Sequence, residues 1–475
     1  MANISILAIF LPLLFVVFLW ILRYPSKATY LLTFTIPLSP YIALFEASNT
    51  ARGYIILNLN DLIVSGLLLS LLFNLCLQKK SSIEYPVFKA NIAILVVYFC
   101  ILVISGLIRP INEFIFQFFY LLRYALYFMI GLYVWKYLPI KGIEKYIIIL
   151  LSGLVINSVY AIYEFTSAVF QGRFLRYGTT PRVSGFFGMM FGTEGFDSDV
   201  SDPGNFAMYI MITLVVNILY IFYKRPTRGS IKRKLAIISL SFGLIVLHMT
   251  MSRAAIFAFW GVCLYLLTFE GGLYFKRKIL LSFSLIFLLG VLIISYFGIS
   301  FIGFLVERLF TSMSGEFYSI QEGRFSLTAD VGSYLFNNIS QWWGHGISSS
   351  RLYVDELFES GIVRYKSGSL YNGYLAICWD AGLAGIIVWA LWLKRHFTLL
   401  SKMKKKVRDL DWLTISLKGI LVGFLIGLLS NEFFNNFRLM GYFSFLMALL
   451  LKSTYQNSFI VVGDYLRYKI RFEIF

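Results

Sequence analysis

The sequence contains little charge. Asp, Glu, Lys and Arg make up 14% of the 475 residues, whereas 59% are hydrophobic and 18% are aromatic, and the mean hydropathy is +0.76. Soluble domains carry about 25% charged residues, so this composition excludes an ordinary soluble fold. It predicts a polytopic integral membrane protein.

Cysteine and histidine are also scarce, with four and three residues. All four cysteines stand in apolar segments, so no disulfide framework is predicted. The predicted outer loops contain no Cys or His pair at the spacing of zinc ligands, and we expect no zinc site.

The apolar segments predict an all-α protein. Segments of about 17 or more residues, the length that crosses a bilayer, begin near residues 4, 28, 60, 88, 114, 143, 203, 277, 371, 414 and 434. The first is predicted to be a retained anchor because no small-residue cleavage site follows it. The stretch from Leu235 to Phe269 would form one helix of about 50 Å, which is too long for a single span. We therefore predict two short helices joined at Met251-Ser252-Arg253, and about 12 to 13 transmembrane helices in all.

Lys and Arg concentrate in alternate loops, which by the positive-inside rule face the cytoplasm. This pattern places the amino terminus outside and the carboxyl terminus on the cytoplasmic side of the membrane. It also accounts for the net charge of +18 without nucleic-acid binding. The predicted division is 1–170, amino-terminal helices; 171–202, an extracytoplasmic loop; 203–298, central helices with the Ser252-Arg253 turn; 299–370, one large extracytoplasmic loop; 371–452, carboxyl-terminal helices; and 453–475, a cytoplasmic tail.

Most basic residues of the predicted outer loops are arginines, whose planar fork of donors matches phosphate. Arg253 stands at the predicted outer turn, where it either binds a lipid-borne phosphate or extends to headgroups. Arg52 and Arg438 are predicted to be solvated. Arg123 falls inside a span, so it is either a substrate ligand or an interhelical hydrogen-bond partner, with Glu164 as its candidate acceptor.

Several short motifs follow one another in the second half of the chain. They are Asp202-Pro203-Gly204-Asn205-Phe206-Ala207, Thr250-Met251-Ser252-Arg253-Ala254-Ala255, Gly323-Arg324, Trp343-Gly344-His345-Gly346, Leu370-Tyr371-Asn372-Gly373-Tyr374-Leu375 and Asp380-Ala381-Gly382-Leu383-Ala384-Gly385. In this order, over about residues 200 to 395, the chain resembles the O-antigen ligase and O-antigen polymerase (Wzy-like) family of bacterial envelope glycosyltransferases.

The resemblance implies a C-type helical membrane glycosyltransferase fold and a polyprenyl-pyrophosphate-linked oligosaccharide as donor, with no metal or other cofactor. It implies that Arg253 and Arg324 hold the pyrophosphate. Asn205 and Asn372 lie in its motifs and are candidate substrate ligands, together with Arg123. The expected partners are this glycan carrier, membrane lipid and a chain-length regulator protein.

Activation of the acceptor hydroxyl needs a base or an oriented hydrogen-bond acceptor. His345, Glu322 and Tyr371 are the candidates, in that order. Tyr371 occupies the position where the ligase pattern has a histidine, and tyrosine, with a pKa of about 10, is a poor base at neutral pH.

The sequence therefore predicts a polymerase of lipid-linked repeat units of O-antigen, capsule or exopolysaccharide. A ligase that moves the glycan to lipid A core is the alternative within the family. A flippase for lipid-linked oligosaccharides is the alternative from another class, for which two similar halves would be expected. A non-enzymatic scaffold of polysaccharide assembly is a further alternative.

Overall fold

A computed structural model describes part of the chain, and the account below is confined to that part. The described residues are 12, 15–39, 41–46, 54–77, 88–107, 122–123, 125–127, 129–137, 143–170, 183–188, 190–191, 203–250, 252–270, 318–338, 342–346, 360–361, 372–404, 411–429, 438–450 and 452.

The described residues are mostly helical, as the composition predicts. In chain order the helices are α1 (Pro25–Leu38), α2 (Leu59–Leu77), α3 (Phe88–Gly106), α4 (Ile130–Tyr137), α5 (Ile143–Phe170), α6 (Pro203–Leu219), α7 (Ile231–Met249), α8 (Arg253–Tyr265), α9 (Tyr318–Asn337), α10 (Gly373–Lys404), α11 (Asp411–Gly427) and α12 (Arg438–Leu450). Short π-helical turns, Tyr220–Lys224 and Leu266–Glu270, extend α6 and α8.

A small sheet adds to the helical fold that the sequence predicts. β1 (Tyr41–Glu46) and β2 (Tyr54–Asn58) pair antiparallel, and β3 (Met190–Phe191) pairs parallel with β1, in the order β2-β1-β3. The two longer strands are rich in aromatic and β-branched residues, which favour extended backbone. β3 comes from the segment predicted to be an extracytoplasmic loop, so part of that loop is tied to the end of α1.

Three helices are long and apolar enough to cross a membrane by length and composition: Ile143–Ser167, Pro203–Lys224 and Gly373–Lys402. Shorter apolar helices cover Asn60–Phe73, Val96–Gly106, Ala254–Glu270 and Arg438–Leu450. The spans expected near residues 4, 114 and 277 begin outside the described residues. The predicted total of spans stays a prediction.

The central helix of the bundle is α6, in which every residue from Asn205 to Leu219 is buried. A helix that is hydrophobic all round is stable when protein surrounds it. It packs against α7, α8 and α11, and the most extensive helix contact in the bundle is that between α8 and α11. Gly419 of α11 permits the close approach, because a Cβ there would lie 3.0 Å from Cγ1 of Val262 and 3.2 Å from Cγ1 of Val215.

The helices run in alternating directions, which sorts their termini to two ends of the bundle. At one end Glu144 pairs with Lys232, and the rings of Tyr220 and Trp412 lie 5.6 Å apart. We call this the basic end, because its described termini and turns carry Arg23, Lys27, Lys136, Lys145, Lys224, Arg225, Arg228, Lys232, Arg233, Lys234, Lys394, Arg395 and Lys402. The opposite end, where α1, α5, α7 and α11 finish and α6, α8, α10 and α12 begin, is called the site end.

Replacement of Gly419 by leucine should destabilise the bundle. Its side chain would overlap two stiff valines, and overpacking of this kind costs about 1–3 kcal/mol. We expect a lower thermal midpoint for Gly419→Leu in detergent. Gly332→Leu is the control, since nothing lies within 4 Å of a Cβ at Gly332. Equal midpoints for both variants would contradict the packing described for α8 and α11.

Candidate functional site

The chain reverses direction between α7 and α8, where the sequence predicts a turn. The rings of His248 and Trp260 lie 6.5 Å apart, whereas one straight helix would separate these residues by about 18 Å. The Thr250 hydroxyl donates to the Leu247 carbonyl and accepts from the Ser252 amide. Ser252 stands at the N-cap position of α8 without a side-chain cap hydrogen bond, and Arg253 is the first residue of that helix. The backbone of Arg253 thus lies at the N-terminus of α8, at the site end. The free amides and the dipole of a helix N-terminus favour an anion there.

His345 contacts α10 where that helix is interrupted. Gly382 has φ 66° and ψ −167°, so the helix is interrupted there and continues beyond it. The His345 and Gly346 amides each donate to the Asp380 carbonyl, at 3.2 and 2.9 Å, and the His345 amide also contacts the Trp379 carbonyl at 2.9 Å. Residues 342–346 therefore satisfy backbone acceptors that the break would leave without helical partners.

The imidazole of His345 is fixed in orientation. Its Nδ1 lies 3.0 Å from the Trp379 carbonyl oxygen, which can only accept, so the proton is on Nδ1. The ring stacks on the Trp379 indole with centroids 4.2 Å apart and planes 8° apart, and the residue is buried. In the neutral ring this leaves the lone pair on Nε2, the form in which an imidazole can act as a base.

Two glycines permit this close docking. Gly344 has φ +84°, and a Cβ on it would lie 2.7 Å from both the Asp380 carbonyl oxygen and the Gly382 nitrogen. A Cβ on Gly382 would overlap the Trp342 carbonyl. Glycine at both positions is therefore required by backbone geometry and space.

Asn372 is explained by helix capping. Its Oδ1 accepts from the Leu375 amide at 3.1 Å, as an N-cap of α10 does. The Gly373 amide and the Tyr374 hydroxyl donate to the carbonyls of Leu428 and Leu425, at 2.8 and 2.7 Å, and so occupy the end of α11. Asn205 is buried at the start of α6.

Arg123 binds a carboxylate of the protein. Its Nε donates to Asp61 Oδ1 at 2.9 Å and its Nη2 to Oδ2 at 2.5 Å, in a pair of which both side chains are largely buried. The predicted partner was wrong: Glu164 instead accepts from the Ser184 amide and hydroxyl and from the Gly185 amide. Asp61 follows β2 closely in sequence, and no spacing rule links it to Arg123.

The segment Val183 to Phe187 is packed into the site end. Besides Glu164, Asn157 of α5 binds it, because its Oδ1 accepts from the Phe186 amide at 3.0 Å. The Phe186 ring stacks on Tyr160 at 4.1 Å, and Phe187 is 1% exposed. This part of the predicted extracytoplasmic loop therefore belongs to the core.

Arg438 is buried, which corrects the prediction that it is solvated. Its relative exposure is 0%. It donates to the Phe187 carbonyl at 2.6 Å and to the Ser39 carbonyl, and its guanidinium carbon lies 4.4 Å from the centre of the Phe187 ring. It thus joins the end of α1, the segment of Phe187 and the start of α12. The basic-residue pattern could not reveal this, because it reports charge and not contacts.

The remaining candidates are placed only by their backbone or not at all. Glu322 and Arg324 lie in α9, close to its start. Tyr371 lies outside the described residues. Within the described part of the chain, no three His, Cys, Asp or Glu residues are grouped so that they could hold a metal ion.

Sequence reasoning missed Asp380, a carboxylic acid that is 1% exposed at the break of α10. A buried carboxylate in an apolar helix marks a functional site more often than a packing position. The signal was present, since Asp380 interrupts an apolar segment two residues before Gly382 and five before Gly385.

The chain matches no model of a known protein family and no curated protein. The family resemblance carried by the motifs therefore stays a prediction.

Replacement of Arg438 by lysine should destabilise the protein. Lysine retains the charge but lacks the planar fork that spans two carbonyls, and each lost hydrogen bond to a charged group is worth about 1.5–3 kcal/mol. We expect a lower thermal midpoint and reduced accumulation. Arg228→Lys, at an exposed position of the basic end, is the matched control. An unchanged midpoint for Arg438→Lys would show that the guanidinium contacts contribute nothing.

Proposed function

We propose that the chain is an integral membrane glycosyltransferase that polymerises polyprenyl-pyrophosphate-linked oligosaccharide repeat units at the outer face of the bacterial cytoplasmic membrane. The glycan is a surface polysaccharide such as O-antigen, capsule or exopolysaccharide. The carrier lipid is the glycosyl donor, the terminal sugar of a second carrier is the acceptor, and a chain-length regulator is a further partner.

One observation carries the proposal: four motif residues that are distant in sequence belong to the same end of the bundle. Asn205 and Arg253 begin α6 and α8, Asn372 caps α10, and His345 is docked on α10. These helices are neighbours, because α6 and α8 both pack on α11 and α11 packs on α10. A site assembled from several helix termini at one end of a bundle is suited to a large substrate held at the membrane surface.

The distribution of charge supports the orientation. The turns and termini of the basic end carry many Lys and Arg residues, and cytoplasmic loops of membrane proteins show this enrichment. The site end then faces outwards, where the pyrophosphate of a lipid carrier meets water.

The proposed reaction forms a bond between an acceptor hydroxyl oxygen and the anomeric carbon of the donor glycan. The bond from that carbon to the pyrophosphate breaks, and polyprenyl pyrophosphate leaves. Negative charge grows on the leaving group, and fixed positive charge at that position lowers the barrier. Arg253 and Arg324 are assigned this role, aided in the case of Arg253 by the N-terminus of α8.

His345 is the proposed general base. With its proton on Nδ1 and bound to the Trp379 carbonyl, the imidazole offers Nε2 to the acceptor hydroxyl. The neighbouring carbonyl fixes the ring as the third member of a catalytic triad fixes its histidine. Glu322 and Tyr371 are the alternatives for this role.

Lysine in place of Arg253 or Arg324 should reduce polymer synthesis. It keeps the charge but loses bidentate contact with pyrophosphate, and loss of one charge-assisted contact lowers the rate about tenfold or more. The measurement is the length distribution of glycans made by membranes supplied with lipid-linked repeat units, at matched protein level.

Arg228→Lys is the control at the basic end and should leave the distribution unchanged. Normal polymer from both Arg253→Lys and Arg324→Lys would refute the pyrophosphate assignment. Transfer of preformed polymer to a separate acceptor, without chain growth, would indicate the ligase.

A further inference from the structure

Exposed tryptophans flank the buried histidine of the candidate site. Gly344, His345 and Gly346 are buried, whereas Trp343 directly before them is 74% exposed and Trp342 is 38% exposed. Burial of an indole contributes considerably to stability, so a large exposed indole beside a tightly docked segment is a candidate for contact with a partner or with lipid.

The backbone of Trp343 is fixed at the end of α3. The Ser105 hydroxyl donates to its carbonyl at 2.7 Å. On either side of Ser105 the side chains of Ile104 and Leu107 are 62% and 61% exposed. Trp343 therefore lies at the level of the carboxyl-terminal end of α3, an apolar helix that exposes apolar side chains.

The neighbouring helix α10 also exposes apolar side chains. α3 and α10 pack against each other, and beyond the break Leu383, Ile387 and Leu391 are 45%, 53% and 51% exposed. Their spacing of four residues puts them on one face of α10. Like Ile104 and Leu107 of α3, they are exposed apolar side chains of the kind that faces lipid tails.

The tryptophan pair also contacts α9, whose sequence is more polar than that of α3. The indole nitrogen of Trp342 donates to the Leu335 carbonyl at 2.8 Å. In its described part α9 turns Val331 and Leu335 inwards and exposes Ser333, Phe336 and Asn337. The pair thus lies between the end of the apolar helix α3 and α9, whose sequence is more polar. Tryptophans of membrane proteins collect at the level where apolar spans end.

We propose that Trp342 and Trp343 form an interfacial anchor in the headgroup boundary of the outer leaflet. The partner is a phospholipid surface, and the anchor holds residues 342–346, and with them His345, at the depth of lipid-borne phosphates. The inference rests on the proposed membrane orientation. The inference goes beyond that orientation because it assigns a lipid contact to a segment between spans.

Fluorescence quenching in vesicles tests this contact. The protein is reconstituted in phosphatidylcholine and phosphatidylglycerol vesicles whose acyl chains carry bromine either near the headgroup or near the terminal methyl. Trp343→Phe is compared with the unmodified protein and with Trp412→Phe, which removes a buried indole that is 3% exposed. Trp343→Phe should lose a component that shallow bromine quenches strongly and deep bromine weakly, and Trp412→Phe should retain it.

Three other outcomes would overturn the anchor. If the lost component were quenched by aqueous iodide and by neither brominated lipid, Trp343 would face water. If lipid-linked repeat units then protected it from iodide, it would be a sugar contact. If Trp343→Phe left lipid quenching unchanged, Trp343 would not contact lipid, although the protein would still be located in the membrane. Absence of lipid quenching in the unmodified protein would instead refute the membrane location itself.

Discussion

The structure depends on one constraint: backbone polar groups in an apolar interior need partners inside the protein. Helices supply these partners along their length, whereas amides and carbonyls at helix ends and breaks lack helical partners. Here side chains meet it. Arg438 binds carbonyls from two segments, Glu164 and Asn157 bind successive amides of the segment from Ser184 to Phe186, and Asn372 caps α10.

The same constraint explains the position of His345. The break at Gly382 frees carbonyls of α10, and the amides and imidazole of residues 345 and 346 donate to them. A structural need and a catalytic assignment therefore coincide at this residue. The lipid contact proposed for Trp342 and Trp343 would hold the same short segment from its outer side.

Helix content and the turn before Arg253 could be predicted because they depend on local sequence, namely apolar length and an interruption too polar for a bilayer centre. The sorting of helix termini could be predicted from alternating Lys and Arg. The partners of Arg123 and Arg438 could not. Asp61 and Arg123 are 62 positions apart, and Arg438 binds Ser39 across nearly the whole chain. The short strands were missed because apolar alternation over five or six residues does not distinguish a strand from part of a helix.

The glycans of a strain lacking this protein test the central claim most directly. Polymerase activity predicts that the strain carries surface glycans of a single repeat unit, and that the intact gene restores the polymer. Full-length polymer retained on the lipid carrier would indicate a ligase, and repeat units held at the cytoplasmic face would indicate a flippase. Either result would contradict polymerisation at the site end.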